Sequence, residues 1–535
     1  MNETGDPDMI LHDLSAGMHP RRVRIFMAEK GLSIERREVD AAAGANAMPD
    51  FLRLNPLGKL PVLELDDGSA IAESLAICRY LGALHPLPPL MGKTPGCFAA
   101  GLHYRHQMMQ SMRTGKAHMR QCLFAVVLSM LLLGCASTCP APARPELVGS
   151  GWRTPAALAP SADFDTYVGK VRAELRTHRL PFVASMADAE LGKVAPFRQL
   201  PDRGCKTDAP RGIAILIHGL SDTAFAMRDL AATFSKQCFE ARALLLPGHG
   251  TRPADLMAVD HRDWLSHVGA ALKQARSDSS FVVVAGFSLG AALALTAAVQ
   301  SPGDVDAVIG LSPAYRIRSN FLARQAQWIG VLRPWLDLGP REDFARYGAM
   351  PTRGIASTMA VLGTLEAQIR RQGPLRTPWL VVQSEDDEVI DVAWNRQFFA
   401  NHVGDSRSKF LNYFSIPPAQ TEGDRLVWLP AADPSLRVVG ISHLAVHISP
   451  ENPHYGESGT YRNCGSPPFR TEEQVRACKQ AQRVWYGVGG QSPPPGEAGA
   501  RATFNPHYWD LELRIGEFLN RVDGQHRSAR EMATF

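Results

Sequence analysis

The 535-residue sequence lacks an excess of either charge: 57 Lys and Arg stand against 53 Asp and Glu, a formal net charge of +4. So small a balance on so long a chain leaves no basic footprint, and a nucleic-acid partner is not expected. Paired CxxC units and HExxH are also missing, so no structural or catalytic metal is expected. There is no apolar run of the ~20 residues that a spanning helix needs. What remains is ordinary globular composition, 45% hydrophobic and 21% charged. The length exceeds what one core organises, so two or more domains are expected.

The nine cysteines are unevenly placed. Cys78 and Cys97 lie early, and Cys122, Cys135 and Cys139 surround one apolar segment. Cys205, Cys238, Cys464 and Cys478 lie in the long remainder. That split points to two redox histories in one polypeptide.

The apolar segment is 122–133, CLFAVVLSMLLL, without a charge. It is too short to span a bilayer but has the length of a signal-peptide core. Met119 and Arg120 precede it, and Leu132-Leu133-Gly134-Cys135-Ala136-Ser137 follows. This resembles a bacterial lipoprotein signal, which implies lipidation of Cys135 and attachment to a membrane. A buried helix of a soluble domain is the alternative, since short apolar runs are ambiguous. The Pro-rich stretch 139–145 then suits a tether. A signal belongs at an N-terminus, and 118 residues precede Met119. The expectation is a fusion, with cell-envelope placement if Met119 is the working start and cytoplasmic placement if Met1 is.

Those first residues read as strand 10–14, helix 21–31 with a Gly stop, strand 34–39, a hairpin from 61–65 around Asp67-Gly68-Ser69, and helix 72–84. The stretches VRIFMAEKGL and FLRLNPLGKLPVLELDDGSAIAESLAICRYL make residues 9–95 similar to the N-terminal, thioredoxin-like domain of cytosolic glutathione transferases. The resemblance implies a cis Pro61, backbone pairing of Leu60 with the cysteinyl part of glutathione, and a γ-glutamyl seat at Glu73 and Ser74. The thiolate-activating position falls on Gly17, with Ser15 displaced from it, and the helical partner domain of that family has no match after residue 95. Glu73 and Ser74 also read simply as a helix cap.

From residue 164 apolar runs alternate with helical stretches. Strands are expected at 212–217 (GIAILI), 243–246, 281–285 (FVVVA), 307–311, 379–383 and 436–441, with helices that include 225–237 and 291–300. Strand and helix in alternation imply a doubly wound, mostly parallel sheet, with function at the C-terminal ends of its strands.

Gly286-Phe287-Ser288-Leu289-Gly290 stands between a strand and an Ala-rich helix, as a nucleophile elbow does. His218-Gly219-Leu220 follows strand 212–217. The backbone N–H groups of Leu220 and Leu289 are the expected oxyanion donors. The acid is expected after strand 379–383, at Asp387, with Asp386 as runner-up. The base is expected last, at His443, with His447 second. The order Ser288, Asp387, His443 is that of the α/β hydrolases. Pro247-Gly248-His249-Gly250 resembles the PGHG loop of monoacylglycerol lipases and related esterases, with His249, like His218, read as structural. That resemblance implies a helical cap, placed at 313–374 with Trp328, Trp335, Phe344 and Tyr347. Bridges Cys205–Cys238 and Cys464–Cys478 would suit export.

The expectation is therefore a thioredoxin-like α/β domain at 1–95, a junction with signal segment and linker at 96–163, and an α/β-hydrolase domain at 164–535. Its function is carboxylic-ester hydrolysis of a small ester or lipid through an acyl-enzyme, without a cofactor. Glutathione binding by the first domain and a non-catalytic anchored envelope protein are the alternatives.

Overall fold

The computed structural model describes residues 9–85 and 144–533, apart from 16, 42, 153–159, 161–162, 183–185, 206–208, 319–332, 418–424, 466–470, 489–490 and 492. The signal-like segment 119–135 and Trp328 therefore lie outside the described residues. The chain forms two compact units, divided between Cys139 and Pro140.

In the first unit, β1 (Ile10–Asp13), α1 (Met18–Glu29), β2 (Glu35–Glu38), α2 (Pro49–Leu54), β3 (Val62–Glu64), β4 (Ala70–Ala72) and α3 (Ser74–Leu84) follow in order. The sheet runs β2-β1-β3-β4, with β1 parallel to β2 and antiparallel to β3. Leu11, Val23, Leu63, Ile77 and Leu81 are fully buried and clamp α1 and α3 to the sheet.

The second unit opens with α4 (Phe164–His178), α5 (Ala187–Val194), β5 (Phe197–Gln199), β6 (Gly212–Ile217), α6 (Arg228–Lys236), β7 (Phe239–Ala243), α7 (His261–Asp278), β8 (Val282–Phe287), α8 (Leu289–Gln300) and β9 (Ala307–Leu311). It continues with β10 (Trp335–Leu338), β11 (Ala349–Pro351), α9 (Thr352–Gln372), β12 (Trp379–Ser384), α10 (Val392–His402), β13 (Lys409–Phe414), β14 (Leu426–Pro430), α11 (Glu472–Gln480), β15 (Trp485–Gly487), β16 (Gly499–Arg501) and α12 (Tyr508–Ala533).

Eight strands form one sheet in the order β14-β13-β12-β9-β8-β6-β7-β5. All pairs are parallel except β5 with β7. Strands β6, β8, β9 and β12 are buried at every position, as continuous apolar runs covered by helices on both faces must be. One core cluster lies on the face of α7, α8 and α9 and the other on the face of α6 and α12. Eleven of the twelve residues of α8 are buried. Its sequence, LGAALALTAAVQ, uses small side chains all round, so the helix lies close to the sheet.

In the second unit three features depart most from the sequence reading. The run 243–246 is not the strand; β7 ends where it begins, and Leu244–Leu246 is the buried loop beyond. The run 436–441 carries only isolated bridges, because Arg437 takes φ 56° and breaks the extended backbone. The edge strand that precedes the catalytic-candidate loop is β14 instead. The described part of the cap region is not wholly helical: an antiparallel β10–β11 pair precedes α9.

Both bridges, Cys205–Cys238 and Cys464–Cys478, are formed, while Cys78 is free and buried. Cys205 and Cys238 are 33 residues apart, a span whose closure restrains the unfolded chain by ~3–4 kcal/mol. Changing both to Ser is expected to lower the unfolding free energy of the second unit by about that amount in urea titration. Reductant should then have a smaller further effect than on the unaltered chain.

Candidate active site

Ser288 sits between β8 and α8 with φ 54° and ψ −115°, a left-handed backbone that a non-glycine residue adopts only under restraint. The restraint is the turn itself. A Cβ on Gly286 would lie 2.2 Å from the Gly290 backbone, and one on Gly290 would lie 2.1 Å from the Ile217 carbonyl oxygen. Both positions therefore need glycine. The bend lifts Ser288 to the C-terminal edge of the sheet, where it keeps 9% exposure.

Its hydroxyl meets His443. Ser288 Oγ lies 2.9 Å from His443 Nε2, and His443 Nδ1 lies 2.7 Å from Asp387 Oδ2. Asp387 is fully buried, and its other oxygen accepts N–H groups of Val389 at 2.9 Å and Ile390 at 3.1 Å. The carboxylate is thus pinned from both sides, and the pairing sets Nδ1 as the nitrogen whose N–H donates to it. The His443 backbone N–H donates to Glu388 Oε2 at 3.3 Å, and Glu388 pairs with Arg501 on β16. The Phe287 ring lies 5.2 Å from the His443 ring and supports it from the elbow side.

Neither the Leu220 nor the Leu289 N–H donates a hydrogen bond among the described residues. The first belongs to the turn after β6 and the second opens α8, so both donors stand where β6 and β8 end.

The runner-up residues sit elsewhere. Asp386 accepts from the Ile441 N–H at 3.3 Å, from Gln491 Nε2 at 3.3 Å and from the Ser415 hydroxyl, so it anchors the His443 loop. His447 stacks on Phe287 at 4.0 Å, and neither ring nitrogen finds a partner among the described residues. His218 Nε2 accepts from the Leu246 N–H at 3.1 Å while its Nδ1–H donates to the Gly219 carbonyl at 2.8 Å. It is a satisfied core histidine. His249 donates from Nδ1 to the Pro247 carbonyl at 3.1 Å. Of the cap aromatics, Tyr347 donates its phenol to the Gly248 carbonyl at 3.1 Å, and Phe344 packs edge-on to Phe225. No His, Cys, Asp or Glu cluster among the described residues suits a metal ion.

Sequence reasoning passed over Asp222 and Arg346. Asp222 is buried, which pushes its carboxyl above the usual range against the opposing charge of Arg346, whose Nε lies 2.8 Å from Oδ1. No local pattern joins two residues so far apart in the chain.

In the first unit the Leu60–Pro61 peptide is cis, as the transferase resemblance implied. Glu73 has φ 76° and makes no side-chain cap. The Ser74 hydroxyl accepts from Arg22 Nη1 at 3.0 Å, and Ser15 donates its hydroxyl to Glu38 Oε2 at 2.7 Å.

Comparison with known proteins finds one family match in each unit. The family described as glutathione S-transferase, N-terminal domain matches residues 18–84. The family described as serine aminopeptidase, S33 matches residues 208–414. The chain carries an α/β-hydrolase domain behind a glutathione-transferase N-terminal domain. The hydrolase match takes in Ser288 and Asp387 and ends before His443. Glutathione S-transferase 2 of Saccharomyces cerevisiae is 47% identical over 89 residues, 16% of this chain and 38% of that protein. The chain thus spans only about two-fifths of the length of the transferases it matches. A thermostable monoacylglycerol lipase of a Bacillus species is 25% identical over 189 residues, 34% of this chain and 73% of that enzyme. A soluble variant of monoglyceride lipase from Saccharomyces cerevisiae aligns with a TM-score of 0.35 at 15% identity, over 41% of this chain and 82% of that one.

The hydrolase core holds several histidines neutral. Burial lowers His249 and His267 to about 4 and His447 to about 3, and it lowers His218 well below the usual imidazole range. Each folded value lies below the ordinary 6.5, so the unfolded chain binds more protons as pH falls. This stability is complete above about pH 6.5 and is lost as pH drops toward the folded values. The unfolding free energy from urea titration should fall between about pH 7 and about pH 5, and His267→Gln should reduce that fall by ~2 kcal/mol. An identical fall in the variant would contradict a neutral buried His267.

Proposed function

We propose that the hydrolase unit is a serine esterase or lipase that cleaves carboxylic esters through an acyl-enzyme. The observation that carries this reading is the hydrogen-bonded series Asp387–His443–Ser288, ending at a serine held on a strained elbow. His443 Nε2 takes the hydroxyl proton as Ser288 Oγ attacks the ester carbonyl carbon. Asp387 keeps Nδ1 protonated and stabilises the imidazolium that results. The Leu220 and Leu289 N–H groups receive the developing oxyanion, each worth ~3 kcal/mol by analogy with donor deletions. His443 then returns its proton to the departing alcohol. A water, deprotonated by the same nitrogen, attacks the acyl carbon, and the carboxylic acid leaves with Ser288 restored. Each step uses only side chains and backbone groups of this chain and water, so no cofactor is required.

The likeness to an enzyme named as a monoacylglycerol lipase supports a small ester or a lipid as substrate. The Leu-Leu-Gly-Cys stretch at 132–135 supports lipid attachment at Cys135, and the two disulfides of the hydrolase unit fit a cell-envelope location. Incorporation of a labelled fatty acid that is lost in Cys135→Ser tests the anchor. For the first unit, retention on glutathione-agarose tests whether Leu60, Pro61, Glu73 and Ser74 hold glutathione.

Ser288→Ala is expected to abolish both hydrolysis of short p-nitrophenyl esters and labelling by a fluorophosphonate, with the fold intact by circular dichroism. Asp387→Asn should retain the serine but lower kcat by ~10⁴-fold, because the imidazole then takes the wrong tautomer. Undiminished turnover in Ser288→Ala would sink the assignment, and absence of labelling in the unaltered chain would favour a non-catalytic envelope protein.

A further inference from the structure

The turn that carries Leu220 is held from outside. Ser221 has φ 73°, a left-handed backbone for a residue that does not favour it. The Asp222 N–H donates to the Gly219 carbonyl at 3.2 Å, which closes the turn around Leu220. Two neighbouring residues from the base of the cap brace this arrangement. The Tyr347 N–H donates to the Ser221 carbonyl at 2.9 Å, and Arg346 Nε lies 2.8 Å from Asp222 Oδ1.

The brace has its own foundation. Asp343, three residues before Arg346, accepts from His454 Nε2 at 3.0 Å and from the Tyr455 hydroxyl at 2.6 Å. His454 and Tyr455 belong to the segment that follows His443. The cap base is therefore fixed to the loop that delivers the imidazole, and through Arg346 to the turn that presents Leu220. Asp222 is 3% exposed, and its second oxygen finds no partner among the described residues. That buried carboxylate, Arg346, His447, Phe287 and Tyr461 line a cavity of about 20 Å³, room for roughly one water. A buried carboxylate with one countercharge has a strong hold on that countercharge.

We propose that Arg346 is a positioning residue for the oxyanion pocket: its guanidinium, paired with Asp222, holds the Gly219–Asp222 turn so that the Leu220 N–H is presented to the reacting carbonyl. The proposal rests on the assignment of Ser288 and Leu220 above. Arg346 makes no hydrogen bond to Ser288, His443 or Asp387, so its loss leaves their series in place. What changes is a donor that acts on the transition state, which moves kcat and spares KM.

The test compares Arg346→Met, Arg346→Lys, Asp222→Asn and the Asp222→Asn/Arg346→Met double variant of the full chain. Arg346→Met should lower kcat by ~10²-fold, the scale of one lost oxyanion donor, with KM for a p-nitrophenyl ester changed less than about threefold. Arg346→Lys should recover part of the loss. The double variant should be no worse than Arg346→Met, because both changes release the same turn. Amide hydrogen exchange over 219–223 should accelerate in Arg346→Met while that of β6 and β8 does not. An unchanged kcat, a loss confined to KM, or unchanged exchange in the turn would overturn the proposal. Should Arg346→Met not fold, Arg346→Lys and Asp222→Asn decide by the same readouts. If the unaltered chain hydrolyses no ester, the functional reading fails, and the exchange measurement still decides the brace.

Discussion

The site is built on one close approach. Helix α8 begins so near the end of β6 that Gly290 has no room for a side chain against the Ile217 and His218 carbonyls. The contact sets the sharpness of the bend, and the bend forces Ser288 into its left-handed backbone. The same end of β6 starts the turn that carries Leu220. The serine and both backbone donors are thus laid out by the packing of one strand against one helix. The alanines of α8 matter for this reason, since larger side chains would push the helix away and open the elbow. Ser288, Leu220 and Leu289 keep their spacing only while that packing holds.

Much of this was legible because it is local. The Gly-Phe-Ser-Leu-Gly motif carries its own steric reason, and the β-branched runs of β6, β8 and β12 announce buried strands. Asp387 could be located because it follows a strand by a fixed turn. His443 follows the run 436–441, and its preference over His447 rests on reading that run as a strand; it stands instead on a loop well past β14, so of the two grounds only chain order holds. The run 436–441 resembled a strand in hydrophobicity, yet backbone conformation at Arg437 decides otherwise, and apolar character alone does not report it. The true edge strand, LVWLP, is half exposed, short and closed by proline, so it lacks both alternation and full burial. The Asp222–Arg346 pair was invisible for a different reason. It is a tertiary contact between two loops, and neither loop has a periodicity that names its partner.

The hydrolase unit locks Cys205 to Cys238 and Cys464 to Cys478. Among the described residues of the first unit Cys78 is a buried thiol, which burial pushes above its usual range and so keeps protonated. The second bridge lies in the segment between His443 and α12, the same segment that supplies His454, Tyr455 and Arg501 to the surroundings of the site.

The all-round burial of α8 has a consequence for biogenesis. A helix with no polar stripe has no surface on which it can rest in water, so it is tolerable only once neighbours on every side are in place. Those neighbours include β9 and α9, which are synthesised later than α8. A nascent chain therefore passes through a stage in which this greasy rod is uncovered and prone to self-association. Production of soluble protein should depend on how quickly the later half arrives, or on a holdase that shelters the segment in the interval.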